Sequence, residues 1–245
     1  MRCQPRALRR VYKWLNSGQS CLLCDEPAER DGLPLCNACE LELPWLQGHC
    51  AVCALPLPTE GLACGACLKR PPAFSRVEVP WRYAFPVDNL ITRFKHQSRW
   101  PMGRLLGGLL SHHLQQSFAD GLPRPDALLP VPLATRRLRE RGFNQAAMLA
   151  HWLGRDLGLP VEEGALRRVL DTPAQQGLTA VERRRNLRRA FALSDDAEVE
   201  GRHLALVDDV LTTGSTADAL ARLLIKAGAG RVDVYCLART PRPGD

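Results

Sequence analysis

Long apolar segments are missing from this 245-residue sequence. No run reaches the roughly 18 apolar residues that a membrane-spanning helix requires, so we expect no transmembrane helix. The basic N-terminal stretch, residues 1–10, is not followed by an apolar segment. We therefore expect no secretory signal and a cytoplasmic location. Hydrophobic residues still make up 45% of the chain, which is typical of a globular protein with a packed core.

Cysteines are abundant, and eight of the ten form four Cys-x-x-Cys pairs. Without an expected secretion signal, such pairs indicate zinc rather than disulfides. The gaps between successive pairs are 11, 10 and 10 residues, so a short hairpin can bring one pair to the next. The sequence therefore predicts two structural zinc sites, each closed by four sulfurs. The predicted ligands are Cys21, Cys24, Cys36, Cys39, Cys50, Cys53, Cys64 and Cys67.

Spacing leaves open which cysteine pairs share a zinc site. Sequential pairing, first with second and third with fourth, closes the shortest loops, whereas nested or crossed pairings stay open. His49 adjoins Cys50 but is expected to be a bystander, since four thiolates already complete each site. Residues 17–72 hold seven acidic and three basic residues, so charge alone is not expected to attach this segment to nucleic acid.

Three segments are predicted along the chain. Residues 1–16 form a basic helix, residues 17–72 a double zinc ribbon, and residues 73–245 a larger domain. In the larger domain, strands are predicted at 74–83, 127–131, 203–207 and 231–237, and helices at 87–96, 102–118, 145–157 and 217–227. Apolar strands that alternate with helices predict an α/β fold, with a parallel sheet covered by helices.

One segment carries a chemical signature. The apolar strand at 203–207 runs into Asp208 and Asp209, then into a turn of small polar residues at 212–216, and then into a helix. Such a turn exposes backbone N–H groups and hydroxyls to an anion at a helix N-terminus. The two carboxylates would repel a phosphate but accept hydrogen bonds from sugar hydroxyls. The order therefore predicts a sugar-phosphate site, and the missing Gly-Lys-Ser/Thr motif excludes a Walker loop.

In this stretch the chain resembles the type I phosphoribosyltransferases. The resemblance implies their fold, a parallel sheet flanked by helices, and a site for phosphoribosyl pyrophosphate (PRPP) bound with magnesium. Asp208 and Asp209 match the acidic pair that binds the ribose 2- and 3-hydroxyls, and the turn matches the segment that holds the 5-phosphate. The implied PRPP-binding residues are Asp208, Asp209, Val210, Leu211, Thr212, Thr213, Gly214, Ser215 and Thr216.

A narrower resemblance covers nearly the whole chain. Its motifs are, in order, the four cysteine pairs, Pro-Val-Pro at 130–132, Arg-Glu-Arg-Gly-Phe-Asn-Gln at 139–145, Gln-x-Gly-Leu at 175–178, Arg-Arg-Arg-Asn at 183–186 and the PRPP segment. This order is similar to that of the ComF-type competence proteins, also called GntX-like. The resemblance implies a role in handling imported single-stranded DNA, with DNA and the DNA-uptake machinery as partners.

Arginines flank the predicted site on two segments. Arg136, Arg137 and Arg141 follow the strand at 127–131 and are predicted to neutralise the pyrophosphate, with a solvated surface as the alternative. Residues 171–189 carry five arginines against two acids and resemble the loop that covers PRPP in this superfamily. The residues expected to act there are Gln175, Gln176, Arg183 and Arg184. The same arginines could instead follow a phosphodiester backbone.

Three functions are compatible with these patterns. The first is an enzyme that transfers a phosphoribosyl group to an unknown acceptor with the aid of magnesium, with Asp208, Asp209, Arg136, Arg137 and Arg141 as the catalytic set. The second is a non-catalytic DNA-uptake protein in which the PRPP site is a sensor or a relic. The third is a PRPP-responsive regulator, although no DNA-reading helix is evident. The same fold and site can serve enzymes and regulators alike.

Overall fold

The computed structural model describes residues 20–28, 32–170 and 189–241. The predicted basic helix at residues 1–16 lies outside these ranges. The chain forms two compact units, Met1–Leu43 and Pro44–Asp245. The division falls between the second and third cysteine pairs, so the third and fourth pairs belong to the unit that contains the sheet.

The first unit carries the first two cysteine pairs. Its described helix is α1 (Asn37–Leu41), which begins directly after Cys36. The unit is small, and its buried residues include Leu33, Leu35, Leu43 and two of the cysteines. So small a core needs additional cross-linking, which a metal would supply.

The second unit is a mixed α/β structure. Its helices are α2 (Gly65–Lys69), α3 (Val87–Gln97), α4 (Trp100–Ala119), α5 (Thr135–Arg141), α6 (Gln145–Leu157) and α7 (Ser215–Lys226). Its strands are β1 (Arg76–Glu78), β2 (Trp81–Arg82), β3 (Ala127–Pro130), β4 (Leu166–Arg168), β5 (Phe191–Leu193), β6 (His203–Leu211) and β7 (Arg231–Arg239).

A parallel sheet organises this unit, with strand order β1-β7-β6-β3 and β2 also paired to β7. The central strands β6 and β7 pair over most of their length, from His203 opposite Arg231 to Leu211 opposite Arg239. Central parallel strands are covered on both faces, which explains why their sequences read as continuous apolar runs. Leu204, Ala205, Leu206 and Val207 are all fully buried.

The predicted parallel α/β architecture is confirmed, and the fold adds three features. Strand β6 extends four residues past 207, so the two aspartates lie within the strand rather than after it. Arg136 and Arg137 lie on the short helix α5, which is not among the predicted helices. Strands β4 and β5 form a separate antiparallel pair. Short elements of three residues carry too little periodicity to be predicted.

Membrane-spanning helices were not expected from the sequence. Among the residues that the structure describes, none of the helices is long and apolar enough to cross a membrane.

Candidate functional site

The acidic pair lies near the end of β6, next to β7. Asp208 is half-buried and is paired in register with Cys236, while Asp209 is buried. Each carboxylate accepts a hydrogen bond from the next backbone amide: Asp209 N donates to Asp208 at 2.8 Å, and Val210 N donates to Asp209 at 2.7 Å. These bonds fix both side chains at the carboxyl edge of the sheet, where ligands bind in open α/β folds.

The 212–216 turn follows directly and opens to solvent. Thr212 and Thr213 are exposed, and Gly214 has a positive φ of 72°, a conformation that favours glycine. The hydroxyls of Thr213 and Ser215 lie 2.9 Å apart, and Ser215 N donates to Thr213 Oγ1. Helix α7 begins at Ser215, so its N-terminal dipole points at the same place. The turn can therefore receive an anion with backbone amides and hydroxyls together.

Lys95 is a member of this site that the sequence did not reveal. It lies in the last turn of α3, and its Nζ is 2.8 Å from Asp209 Oδ2. Both side chains are shielded, with side-chain exposures of 20% and 6%. Lysines at the end of a helix are common, and only the tertiary fold brings this one to the acidic pair.

The surroundings of Asp208 disfavour its charged form. Burial raises the pKa of the Asp208 carboxyl to about 8, and repulsion from Asp209 adds to the rise, while the charge of Lys95 opposes it. Asp208 therefore holds a proton at a pH where an ordinary aspartate is ionised. Hydrogen bonds from a diol, or a nearby cation, would favour the ionised form of this carboxyl.

We expect Asp208→Asn to stabilise the protein at alkaline pH. The native protein keeps the Asp208 proton up to about pH 8, whereas the unfolded chain releases it near its ordinary pKa of about 4. The stability linked to this carboxyl is thus complete below about pH 4 and is lost as the pH rises through about 8. Asparagine has no such loss, so the variant should gain about 1–2 kcal/mol in free energy of unfolding at about pH 9.

Thermal and urea unfolding at about pH 4, 6 and 9 measure this gain. The difference between the variant and the parent protein should shrink towards the acidic end. A constant difference across the three pH values would contradict the assigned cause.

We expect Lys95→Met to destabilise the protein by about 2–4 kcal/mol at neutral pH, because it leaves the buried Asp209 carboxylate without its cation. The pKa of Asp208 should rise further, since Lys95 lowers it. Urea unfolding and NMR titration of the carboxyl measure these two effects. The matched control is Lys226→Met at the exposed end of α7, which should cost less than about 0.5 kcal/mol. Equal losses of stability in the two variants would show that Lys95 is not part of the site.

Arg239 joins three parts of the second unit. Its side chain is buried, with 5% exposure, at the end of β7. Nε donates to the carbonyl of Cys53 at 2.9 Å, and Nη1 donates to the carbonyls of Leu211 at 3.2 Å and of Thr212. One guanidinium thus ties a cysteine turn to the residues that lead into the 212–216 turn. Sequence reasoning did not find this role, because Arg239 lies two residues beyond the strand predicted at 231–237.

The three predicted arginines differ in their surroundings. Arg141 is partly buried, donates to Gln145, and has its pKa lowered by burial, an effect that the charge of Asp209 opposes. Arg136 is exposed and pairs with Glu140 at 2.8 Å on the surface of α5, and Arg137 is also exposed. Of the three, Arg141 has the clearest electrostatic link to the acidic pair. The predicted loop residues Gln175, Gln176, Arg183 and Arg184 lie outside the described residues.

The eight predicted ligands form two sequential clusters. In each cluster all four sulfurs lie within 4.8 Å of one another. The first cluster contains Cys21, Cys24, Cys36 and Cys39, and the second contains Cys50, Cys53, Cys64 and Cys67. The sequential pairing is therefore the one adopted. His49 stays a bystander, since its Nδ1 lies 2.8 Å from the carbonyl oxygen of Gln47.

The sulfur spacing fits zinc. Cys24 and Cys36 have sulfurs 3.6 Å apart, and Cys53 and Cys64 have sulfurs 3.7 Å apart. A tetrahedral ion with Zn–S bonds of about 2.3 Å would place them about 3.8 Å apart, whereas a disulfide needs about 2.0 Å. The two clusters would hold zinc with all four positions filled by sulfur, which is the arrangement of a structural site.

The two clusters are built alike. In each cluster, the carbonyl oxygen of the first cysteine accepts a hydrogen bond from the backbone N–H four residues later. Asp25 N donates to Cys21 O, and Ala54 N donates to Cys50 O, both at 2.9 Å. Asp25 and Ala54 both have a positive φ. Burial raises the pKa of the Cys21 thiol, but backbone N–H groups outweigh it and bring the pKa to about 6. The same balance brings the pKa of Cys50 to about 7, so both turns favour the thiolate that a metal requires.

We expect Cys64→Ser to reduce the zinc content from two ions to one per chain, because only the second cluster loses a ligand. Elemental analysis or native mass spectrometry of the purified protein measures this loss. The control is Cys236→Ala, which removes a buried thiol within β7 and should retain both ions. Equal zinc contents in the two variants would contradict the cluster assignment.

These features define a class of protein: a phosphoribosyltransferase-type domain joined to a double zinc ribbon. Residues 16–68 match the model of the double zinc ribbon domain, and residues 146–244 match that of the phosphoribosyl transferase domain. The chain belongs to the family of the DNA utilization protein YhgH and competence protein F.

Three relatives illustrate the membership. The DNA utilization protein YhgH of Escherichia coli K12 is 38% identical over 221 residues, which cover 90% of this chain and 96% of that protein. Competence protein F of Haemophilus influenzae is 37% identical over 207 residues, covering 84% and 90%. Competence protein ComFC of Bacillus subtilis is 26% identical over 239 residues, covering 90% and 95%. A purine phosphoribosyltransferase of known structure from Pyrococcus horikoshii is 17% identical, covering 55% and 70%, with a TM-score of 0.34.

Proposed function

We propose that the site on β6 binds PRPP and that the protein uses it in the handling of imported single-stranded DNA. The observation that carries the proposal is an acidic pair, with Asp208 half-buried and Asp209 buried, placed shortly before an open, hydroxyl-rich turn at a helix N-terminus. A ligand that fits both parts needs a diol and a phosphate on one small framework. Ribose 5-phosphate, the core of PRPP, has this arrangement.

In the proposed complex the 5-phosphate accepts hydrogen bonds from the backbone and hydroxyls of Thr213 and Ser215. The ribose hydroxyls donate to Asp208 and Asp209. Arg141 contributes positive charge beside the acidic pair, where it can attract the pyrophosphate. Asp208 is ionised more easily once hydroxyls donate to it, because hydrogen bonds to the charged form lower a carboxyl pKa.

Magnesium, if bound with PRPP, would neutralise charge on the pyrophosphate oxygens. The carboxylates of Asp208 and Asp209 are oxygen donors of the kind that this ion prefers. The chain's own residues would position the sugar and orient the leaving group. Transfer would break the bond between ribose C1 and the pyrophosphate oxygen, which keeps the electron pair. A new bond would form from C1 to a nucleophilic atom of the acceptor, and the proton on that atom would pass to water.

The DNA role rests on the relatives, whose names are DNA utilization protein and competence protein. The exposed arginines of α5, Arg136, Arg137 and Arg139, are on the same strand-to-helix connection as Arg141. Exposed arginines near a phosphate site are suited to a phosphodiester backbone, and such contacts weaken with salt.

Two assays test the proposal. Calorimetric titration with PRPP and magnesium, repeated with an oligothymidylate, should give a PRPP affinity that changes when DNA is present. Phosphorus NMR should detect pyrophosphate release when DNA or another acceptor is supplied. A PRPP affinity that is indifferent to DNA, together with no DNA binding, would refute the DNA role. Binding without pyrophosphate release under any condition would favour the sensor over the enzyme.

A further inference from the structure

The second cysteine cluster is hydrogen-bonded to the end of β7 through Cys53. The sulfur of Cys53 belongs to the cluster, while its carbonyl oxygen accepts a hydrogen bond from Arg239 Nε at 2.9 Å. The same guanidinium donates from Nη1 to the carbonyl of Leu211, at 3.2 Å, and to that of Thr212. One buried side chain thus connects the metal site to the backbone that enters the 212–216 turn.

A second connection runs through Cys67 and the segment after it. Cys67 lies on α2, and the chain leaves this helix towards Phe74. Ala73 N donates at 2.8 Å to the carboxylate of Asp218, which lies in the first turn of α7. Phe74 lies against Gly214, where an added Cβ would be 3.8 Å from Phe74 Cζ. The segment that follows the cluster therefore contacts both the turn and the helix after it.

The apolar core around the second cluster is small. Its buried members are Cys50, Leu55, Cys64 and Cys67, and three of these four are cysteines of the cluster. A segment with so little apolar burial depends on a bound metal for its order. Loss of the metal would loosen both connections, since Cys53 and Cys67 are two of its four ligands.

The first cluster is held by different contacts. Its turn is fixed by hydrogen bonds within the first unit, from Cys21 N to Glu26 O at 2.7 Å and from Leu22 N to Pro34 O at 3.0 Å. The connections of the second cluster instead end beside the 212–216 turn. Two sites that are built alike therefore hold different parts of the molecule in place.

We propose that the second zinc site, unlike the first, positions the 212–216 turn, so that zinc in this site and a sugar phosphate on β6 strengthen each other's binding. The inference rests on the proposed sugar-phosphate site. An anion bound by backbone amides needs the turn in one conformation, and a connection that holds this conformation lowers the ordering cost of binding. Because binding linkage is reciprocal, the ligand must tighten zinc binding by the same factor.

Hydrogen exchange tests the positioning without any ligand. Cys64→Ser removes the second zinc ion and should speed the exchange of the backbone amides at 212–218 by at least about tenfold, relative to those at 204–207 in the centre of β6. Cys39→Ser removes the first ion and is the matched control, in which exchange at 212–218 should stay within about twofold of the parent protein. Elemental analysis and unfolding curves verify that each variant is folded and keeps one ion.

Zinc titration tests the coupling with the second site intact. In Cys39→Ser, which keeps only the second ion, saturating ribose 5-phosphate should raise the zinc affinity about tenfold, measured by competition with a chelator. In Cys64→Ser, which keeps only the first ion, the zinc affinity should stay within about twofold, which also controls for zinc bound by the phosphate itself.

Substitution of Asp218 in the Cys39→Ser protein tests the second connection. Asp218→Ala removes the acceptor of the Ala73 hydrogen bond and should reduce the effect of ribose 5-phosphate on zinc affinity. Asp218→Asn keeps an oxygen acceptor at the same place and should restore the effect. Equal coupling in the alanine variant and in the unsubstituted Cys39→Ser protein would remove Asp218 from the connection.

The outcomes separate this inference from the proposed function. Unchanged exchange at 212–218 in a Cys64→Ser protein that has lost its second zinc ion would refute the positioning of the turn. An equal effect of ribose 5-phosphate on zinc affinity in the two single-site proteins would also refute it, because the two sites would then be equivalent. If ribose 5-phosphate does not bind the parent protein, the proposed function fails, whereas faster exchange confined to Cys64→Ser would still show that the second zinc site positions the turn.

Discussion

The double substitution Asp208→Asn and Asp209→Asn is expected to weaken PRPP binding by at least about 100-fold. Each aspartate would accept a hydrogen bond from a ribose hydroxyl, and a bond to a charged group contributes about 1.5–3 kcal/mol. The loss of two such bonds corresponds to about 3–6 kcal/mol, or roughly 10²- to 10⁴-fold in affinity. Asparagine has nearly the same shape, so the fold should be retained. Calorimetry with PRPP and magnesium measures the affinity.

A charge-matched control accompanies this variant. Asp120→Asn with Asp195→Asn removes two exposed carboxylates away from the site and should leave the affinity unchanged. The comparison separates a local effect from the change in net charge, which starts at +7. An unchanged PRPP affinity in the site variant would overturn the role of the acidic pair.

Arg239→Met is expected to destabilise the second unit by about 3–5 kcal/mol. The guanidinium is buried and donates to the carbonyls of Cys53, Leu211 and Thr212, and methionine removes this donor from all three. The Leu211 carbonyl keeps its bond from Thr240 N at 3.1 Å. Because two of the carbonyls lead into the 212–216 turn, the affinity for ribose 5-phosphate should also fall, by about tenfold. Urea unfolding and calorimetry measure the two effects.

The matched control is Arg222→Met on α7. Arg222 is partly exposed and forms an i,i+4 ion pair with Asp218, which is an interaction of about 0.3–0.5 kcal/mol. A similar loss of stability in both variants would show that the hydrogen bonds of Arg239 contribute no more than an exposed ion pair. If Arg239→Met loses stability but keeps its affinity for ribose 5-phosphate, the hydrogen bonds of Arg239 do not position the 212–216 turn for the ligand.

The sequence predicted the features that are local. Cysteine pairs at fixed gaps predicted two four-sulfur clusters, and helix α6 was predicted with its observed bounds, Gln145–Leu157. The order of strand, acids and small-residue turn located the candidate sugar-phosphate site. In each case the chemistry is carried by residues that are neighbours along the chain, so their spacing alone constrains the structure.

The missed features depend on residues that are distant in sequence. Lys95 reaches Asp209 only because α3 packs at the carboxyl edge of the sheet, and Arg239 meets Cys53 only because the second cysteine cluster lies against the end of β7. Long-range contacts of this kind leave no periodic signal. The sequence places the acidic pair after its strand because the apolar run ends at Val207, but β7 continues to pair with β6 through Leu211.

The most direct test is calorimetric titration of the purified, zinc-loaded protein with PRPP in the presence of magnesium. We expect saturable binding at a single site per chain, with ribose 5-phosphate as a competitor. The absence of binding in a folded protein that carries both zinc ions would contradict the central claim, and would leave a phosphoribosyltransferase fold whose β6 site serves another ligand.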